Sequence, residues 1–461
     1  PLIFIILARI LQPDAYGVIA VAQMVISFAQ IFWEAGVGKT IIQRQHDIEE
    51  ALNAGFWINL GMAIVFTVLL IFFSDIISIR LFHDVRVSGV LKVMTLQILL
   101  GALSSIPTAL LQKQMDFNKL FWVRIVTVVL PGLCSIPLAI YGASYWSIVV
   151  GTLVGQFGQV IILWRTISWR PELSFNVAVA KDLLRFGAWV GLTGLLVWFY
   201  LWADSFVVGA FLGTRDLGLF RTANTFVLLL FDVLFAPLLP VLYSHFSGSE
   251  SREKIYTVAS TVIRMIAIIA IPLACLIFVS SEPVSDLFFG AKWQGIGFVI
   301  GLLGLMRGFG WLVGINGEIY RAVGKPHYET FIYAFSSVFF LAGYLVSIRI
   351  GFTEFIYARF LLGMLSLIPH FYLFSIVFRK SLLPIFKTIA LCTLAGLIPF
   401  AFDRMLPTFS HSIMRVVLLN GLSILIMGLS IFLLEQKFLT ATFADLINRT
   451  RFKASKNQDK L

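Results

Sequence analysis

Apolar runs of about twenty residues alternate with short polar connections along the whole chain. A run of that length crosses roughly 30 Å of hydrocarbon as an α-helix. The pattern predicts fourteen transmembrane segments, near residues 1–11, 16–37, 53–74, 89–111, 119–141, 144–164, 183–211, 217–243, 256–280, 295–317, 328–350, 356–378, 384–403 and 412–434. The first run reaches only about 17 Å. It reads as the back half of a helix whose start precedes Pro1; a cleaved signal peptide fits less well, because no small-residue cleavage pattern follows. The longest polar connection, 165–182, is too short to hold a soluble domain, and the chain from Gln436 reads as a solvated tail.

Residues 8–18 end segment one and open segment two, and residues 209–219 do the same for segments seven and eight. Each stretch has a Leu, a polar turn and a Gly six residues after the Leu: Leu11 and Gly17, then Leu212 and Gly218, at an offset of 201. An offset of six segments keeps both copies in the same orientation. The expected architecture is an all-α polytopic membrane protein of about 14 transmembrane helices in two pseudo-equivalent six-helix bundles. Residues 1–182 form the first bundle, 183–380 the second, 381–435 two additional helices and 436–461 a cytoplasmic tail. Two such bundles facing each other are a transporter plan, with the substrate site between them.

Composition narrows the class further. Of the 461 residues 59% are hydrophobic and 13% charged, against roughly 25% charged in a soluble domain. That is too little charge for a water-facing skin, which excludes a soluble enzyme, a nucleic-acid binder and a disordered scaffold. The net charge of +11 is mostly topology: with the N-terminus taken as cytoplasmic, 22 of the 35 Lys and Arg fall in inside loops and the tail, and 7 in outside loops. An even number of spans then puts both termini in the cytoplasm. Cys134, Cys275 and Cys392 lie in apolar stretches, and the six His are scattered. No disulfide framework, metal spacing or cofactor is read from them.

At Ile6-Leu7-Ala8-Arg9-Ile10-Leu11-Gln12-Pro13-Asp14-Ala15-Tyr16-Gly17 the chain resembles the first hairpin of the polysaccharide transporters of the MATE-like (MOP) superfamily. Ala54-Gly55-Phe56-Trp57-Ile58-Asn59-Leu60 is similar too, as are Ala203-Asp204-Ser205-Phe206-Val207-Val208-Gly209 and Leu217-Gly218-Leu219-Phe220-Arg221-Thr222-Ala223. These stretches look like the lipopolysaccharide and exopolysaccharide exporters called Wzx or WzxC. The resemblance implies a flippase of the bacterial inner membrane that moves an undecaprenyl-diphosphate-linked oligosaccharide, an O-antigen, capsule or exopolysaccharide repeat unit, by alternating access. It implies membrane lipids, a polysaccharide polymerase and chain-length machinery as partners, and no nucleic acid. One departure is Glu34-Ala35-Gly36, where the family more often has Ser-Asp-Leu-Gly, which puts the role of that acid in doubt.

Flipping needs no covalent chemistry, but a diphosphate calls for cations along its route. The ionisable groups inside the apolar segments are therefore the candidates. Asp204 and Arg221 stand at similar distances on either side of the turn near Gly213, so they are expected to pair, either as a lock between segments seven and eight or as a switchable pair lining a cavity. Arg264, Arg307 and Arg359 lie deeper, with no acid nearby in sequence; each faces protein or water, with Arg307 the leading substrate contact. Arg9 is a snorkelling side chain or a headgroup contact, and Arg124 a topological charge or an entry contact. Asp232 is either a coupling site for a cation or proton or the partner of an arginine. Trp146, Trp164 and Trp293 fit an interfacial belt, while Trp189, Trp198, Tyr200 and Trp202 form either a sugar-stacking or a packing cluster. Glycines at 301, 304, 308, 310, 314 and 317 mark segment ten as a place for close packing or bending.

Three other functions compete. A cation-coupled drug antiporter of the same superfamily wants an acidic cavity, whereas the buried charges here are mostly Arg. A membrane polymerase or ligase of lipid-linked sugars usually carries a large outer loop, which this chain lacks. A lipid II flippase of the related fold differs only in substrate.

Overall fold

The computed structural model describes residues 2–34, 37–44, 46–173, 175–249, 251–405, 413–436 and 438–440. The helices run α1 (Leu2–Ile10), α2 (Pro13–Glu34), α3 (Val37–Gln43), α4 (Ile48–Ile76), α5 (Arg86–Met94), α6 (Leu96–Lys113), α7 (Phe117–Ile140), α8 (Tyr145–Thr166), α9 (Val177–Leu212) and α10 (Thr214–Phe235). They continue with α11 (Leu238–Ser247), α12 (Arg252–Phe288), α13 (Ile296–Gly310), α14 (Asn316–Ala322), α15 (His327–Ser347), α16 (Phe352–Leu365), α17 (Leu367–Phe378), α18 (Leu383–Ala395), α19 (Ile398–Met405) and α20 (Ile413–Leu434). A π-helical turn at Ile77–Leu81 prolongs α4, and no strand occurs among the described residues.

Every expected segment falls on helix. Among the described residues eleven helices are long and apolar enough to cross a membrane, and Ile296–Gly310 and Asn420–Leu434 are shorter apolar helices. Together with the nine-residue α1, this is compatible with the expected number. Ala35 and Gly36, at the departure from the family pattern, and the tail from residue 441 lie outside the described residues.

Several helices depart from their expected bounds for local reasons. α12 runs for 37 residues through Pro272 and Pro283. The segment expected at 295–317 stops at Gly310, turns through Trp311–Ile315 and resumes as α14. Glycines at 308, 310 and 314 weaken helix there, while Leu312 and Ile315 stay buried in the turn. Two caps follow the usual chemistry: Asn176 accepts from the N–H groups of Ala178 and Val179 at the start of α9, and Asp116 from that of Lys119 in α7.

The chain divides into two compact units. One comprises Pro1–Ala223, Phe288–Gly295 and Tyr333–Arg359; the other comprises Asn224–Leu287, Ile296–Ile332 and Phe360–Leu461. In the first unit the starts of α2 and α10 cross at backbone distance. A Cβ on Gly17 would lie 1.7 Å from the carbonyl oxygen of Thr214, and one on Gly218 would lie 1.9 Å from that of Pro13. Only a residue without a side chain fits at either point. Beside this crossing, Arg86 reaches Asp14 at 3.6 Å and Asp84 at 2.7 Å, and Thr214 Oγ1 donates to Asp84 at 2.8 Å. Burial works to raise the Asp84 carboxyl; the hydrogen bonds from Arg86 and Thr214 outweigh it and hold it below the ordinary carboxylate range.

One aromatic expectation changes, and a second tryptophan, Trp164, is half-buried. Trp293 is buried, not interfacial: its Nε1 donates to the carbonyl of Ala8 at 2.7 Å and its ring meets Tyr16. Trp164 likewise donates to the carbonyl of Leu103. A tryptophan N–H that finds a backbone acceptor is content inside, and segment periodicity does not reveal that partner.

Candidate functional site

Asp204 lies on α9, Arg221 on α10 and Arg359 on α16, all in the first unit. The salt bridge of Asp204 goes to Arg359 at 3.2 Å, not to Arg221 as the hairpin geometry predicted. Both partners are largely buried, at 7% and 17% side-chain exposure. Asp204 Oδ1 also accepts from the backbone N–H and the hydroxyl of Ser205. The Arg359 guanidinium faces the rings of Phe340 and Tyr344 at 5.9 and 5.8 Å.

Arg221 stands beside this pair. Its guanidinium packs over the Trp202 ring at 4.1 Å and donates to Ser205 Oγ at 3.4 Å. Among the described residues no carboxylate comes within salt-bridge distance of it. Two guanidiniums thus stand in a cluster with one carboxylate, which pairs with Arg359 alone, and these three groups sum to a positive charge inside apolar helices. Desolvation makes such a surplus costly unless an anion meets it. Cation–π contact with Trp202 offsets part of that cost.

In the second unit both deep candidate arginines are paired. Arg307 on α13 meets Asp232 on α10 at 2.5 Å, with both side chains about a third exposed, and lies 5.4 Å from the Trp311 ring. Asp232 is therefore an arginine partner. Arg264 on α12 meets Glu435 at 2.6 Å and donates to Thr388 Oγ1 at 2.9 Å. Thr388 in turn donates to Glu435 at 2.7 Å, and Phe438 covers the guanidinium. No acid stands near these three deep arginines in sequence, and each is neutralised by a residue far along the chain.

The remaining candidates lie elsewhere. Arg9 is exposed at the end of α1, and Arg124 is exposed on α7. Glu34, at the end of α2, is exposed and accepts from Gln30 at 2.9 Å. Trp202 is the member of the aromatic cluster that touches the charged site. Trp198 donates to Ser27, and Tyr200 packs on Tyr333 and Phe340, so both serve packing. Sequence reading passed over Ser205, Phe340 and Tyr344, which carry no charge to mark them, and Glu435, which stands at the edge of its segment.

A family model described as "Polysaccharide biosynthesis protein" matches residues 6–297. The succinoglycan biosynthesis transport protein ExoT of Rhizobium meliloti (strain 1021) is 26% identical over 66% of this chain and 61% of its own length. The lipopolysaccharide biosynthesis protein WzxC of Escherichia coli (strain K12) is 26% identical over 66% of this chain and 63% of its own. The match thus spans about three fifths of the length of these relatives. Among solved structures, the lipid II flippase MurJ in an inward closed conformation superposes with a TM-score of 0.76 over 95% of this chain and 97% of its own, at 14% identity. At that identity the likeness concerns the fold alone.

Proposed function

The chain belongs to the polysaccharide biosynthesis protein family, and on that premise we propose that it flips a diphosphate-linked, lipid-anchored oligosaccharide across the bacterial inner membrane by alternating access. The observation that carries this reading is the unequal pairing: Asp204 neutralises Arg359, and Arg221 keeps a positive charge over Trp202. A diphosphate is the kind of group that answers such a surplus, by bidentate hydrogen bonds from a guanidinium. The relatives' descriptions as transport and biosynthesis proteins support it. An acid-lined cation site, as a drug antiporter needs, is not what this cluster offers.

In this reading the headgroup engages Arg221 first and Arg359 second, by competing with Asp204. Arg307, Arg264, Arg9 and Arg124 are secondary contacts or structural charges, and Asp232 and Glu34 are the acids to test for coupling. The excess of Lys and Arg in alternate loops supports cytoplasmic termini. The offset of 201 supports two repeats, 1–182 and 183–380, followed by two added helices and a tail. A polymerase and chain-length machinery would receive the product on the far leaflet. The protein would act as a carrier, not as an enzyme.

The test is complementation of a bacterium lacking its polysaccharide flippase, with variants at matched expression. Arg221→Gln and Arg359→Gln are expected to reduce export at least tenfold. Full export by both variants would overturn the cationic site.

A further inference from the structure

The first unit holds a second feature that the charged cluster does not use. A cavity of about 450 Å³ lies among α2, α3, α6 and α8, within the roughly 300–1,000 Å³ of small-molecule sites. Its wall carries Gln30, Trp33, Glu34, Gln112, Gln156 and Gln159. Such a concentration of amides in helices of this hydropathy is unusual, since polar groups at membrane depth need partners.

Among the described residues, polar atoms on this wall and just behind it lack a partner. Gln156 Nε2 donates to Gln97 Oε1 at 3.2 Å. Gln156 Oε1 and Gln97 Nε2 are buried without a protein partner, and so is the indole Nε1 of Trp33. Exchanging O and N in both amides reverses their bond and still leaves one donor and one acceptor over. Asn59, which donates to Ser105 on the same wall, keeps an unpartnered Oδ1. Trp33 is 4% exposed, so its indole belongs to the wall and is not a loose surface ring.

The mixture selects the ligand class. A bare cation takes oxygen ligands only and leaves the indole and amide N–H groups unmatched. A phosphate takes donors only and meets the carboxylate of Glu34, the only formal charge among the described lining residues. A hydroxyl both donates and accepts, and a ring bearing several hydroxyls suits a wall of amides, one carboxylate and an indole. We propose that this cavity binds an uncharged sugar ring of the cargo, through residues distinct from the arginines that meet the diphosphate. The proposal rests on the cargo being a lipid-linked oligosaccharide.

The test uses the full chain in lipid nanodiscs and two probes, with binding followed by calorimetry. One probe is undecaprenyl diphosphate, which has no sugar. The other is the oligosaccharide released by mild acid from the host's lipid-linked intermediate, which has neither lipid nor diphosphate. Gln156→Leu and Trp33→Phe are each expected to weaken oligosaccharide binding about tenfold, the scale of one hydrogen bond lost at a buried site. Undecaprenyl diphosphate affinity should stay within about twofold, and Arg221→Gln should show the reverse pattern. Trp33→Phe keeps an aromatic ring while removing the donor and part of the indole's volume, and a thermal melt near the wild type shows that it folds. Oligosaccharide binding unchanged in both variants overturns the proposal, as does sodium binding that Gln156→Leu abolishes while oligosaccharide binding persists. Wild type that binds undecaprenyl diphosphate but no oligosaccharide overturns this proposal alone; wild type that binds neither overturns the cargo reading with it.

Discussion

Gly17 packs on Thr214 and Gly218 packs on Pro13, and the two contacts exchange under one offset of 201 residues, which carries Gly17 to Gly218 and Pro13 to Thr214. The contact is reciprocal in the manner of a two-fold interface, where residue i meets j and j meets i. Here both partners lie within one chain. The nitrogen of Gly17 also lies 3.0 Å from where a Gly218 Cβ would stand, so the two helix starts touch with nothing between their backbones.

Alanine at either glycine must displace backbone, because the atom in the way is a carbonyl oxygen. Gly17→Ala and Gly218→Ala are each expected to lower stability by about 1–3 kcal/mol or more, the cost of overpacking. Thermal unfolding in nanodiscs measures it, and the two variants should match closely. A large fall for one and none for the other would argue against an equivalent role.

Asp204→Asn removes the charge that Arg359 uses. Breaking a buried pair from one side costs about 3–5 kcal/mol, mainly from the stranded charge. The double variant Asp204→Asn with Arg359→Gln should recover a good part of that loss, since the Arg359 charge is no longer stranded. Melting temperatures of the two single variants and the double variant form the cycle that tests the coupling.

Arg221→Lys separates charge from geometry. Lysine keeps the charge but lacks the planar fork that stacks on Trp202 and grips two oxygens. Export is expected to fall nearly as far as with Arg221→Gln. Recovery to wild-type export would show that charge alone suffices.

The Arg264–Thr388–Glu435 triad should behave as a lock. Glu435→Gln is expected to cost about 2–3 kcal/mol of stability while export per folded molecule stays near wild type. Arg221→Gln should do the opposite, with small effect on the melt and large effect on export. Expression-normalised export and melting temperature, measured together, distinguish the two kinds of site.

Acid should loosen the helix crossing. The Asp84 carboxyl is held below its ordinary value in the folded protein. Its contribution is therefore complete above the unfolded value of about 4 and is lost as pH falls through the folded one. Between pH 6 and 3 the wild type should lose melting temperature faster than Asp84→Asn, and the two curves should converge at the acid end. Parallel curves would remove Asp84 from the account.

How much of this was legible in the sequence follows from the range of each interaction. The twenty-residue apolar runs and the helices at all fourteen expected positions are properties of local sequence, because a helix satisfies its backbone within itself whatever surrounds it. The glycines at 17 and 218 stood out in the sequence too, since a backbone contact admits one residue type and leaves that type in the chain. The partners of the arginines were not. Arg307 finds Asp232 across 75 residues, Arg359 finds Asp204 across 155, and Arg264 finds Glu435 across 171. A helix shows its own neighbours only at three or four residues' distance, so a lone arginine in a span looks unpaired until the helices are packed. The glutamines around Trp33 were visible as scattered polar residues, and only packing gathers them onto one wall. The sequence by itself determined which helices are long and apolar enough to cross a membrane; the tertiary structure decided that Gly17 and Gly218 meet at a helix crossing and which charges cancel, because both depend on distances that the order of residues does not contain.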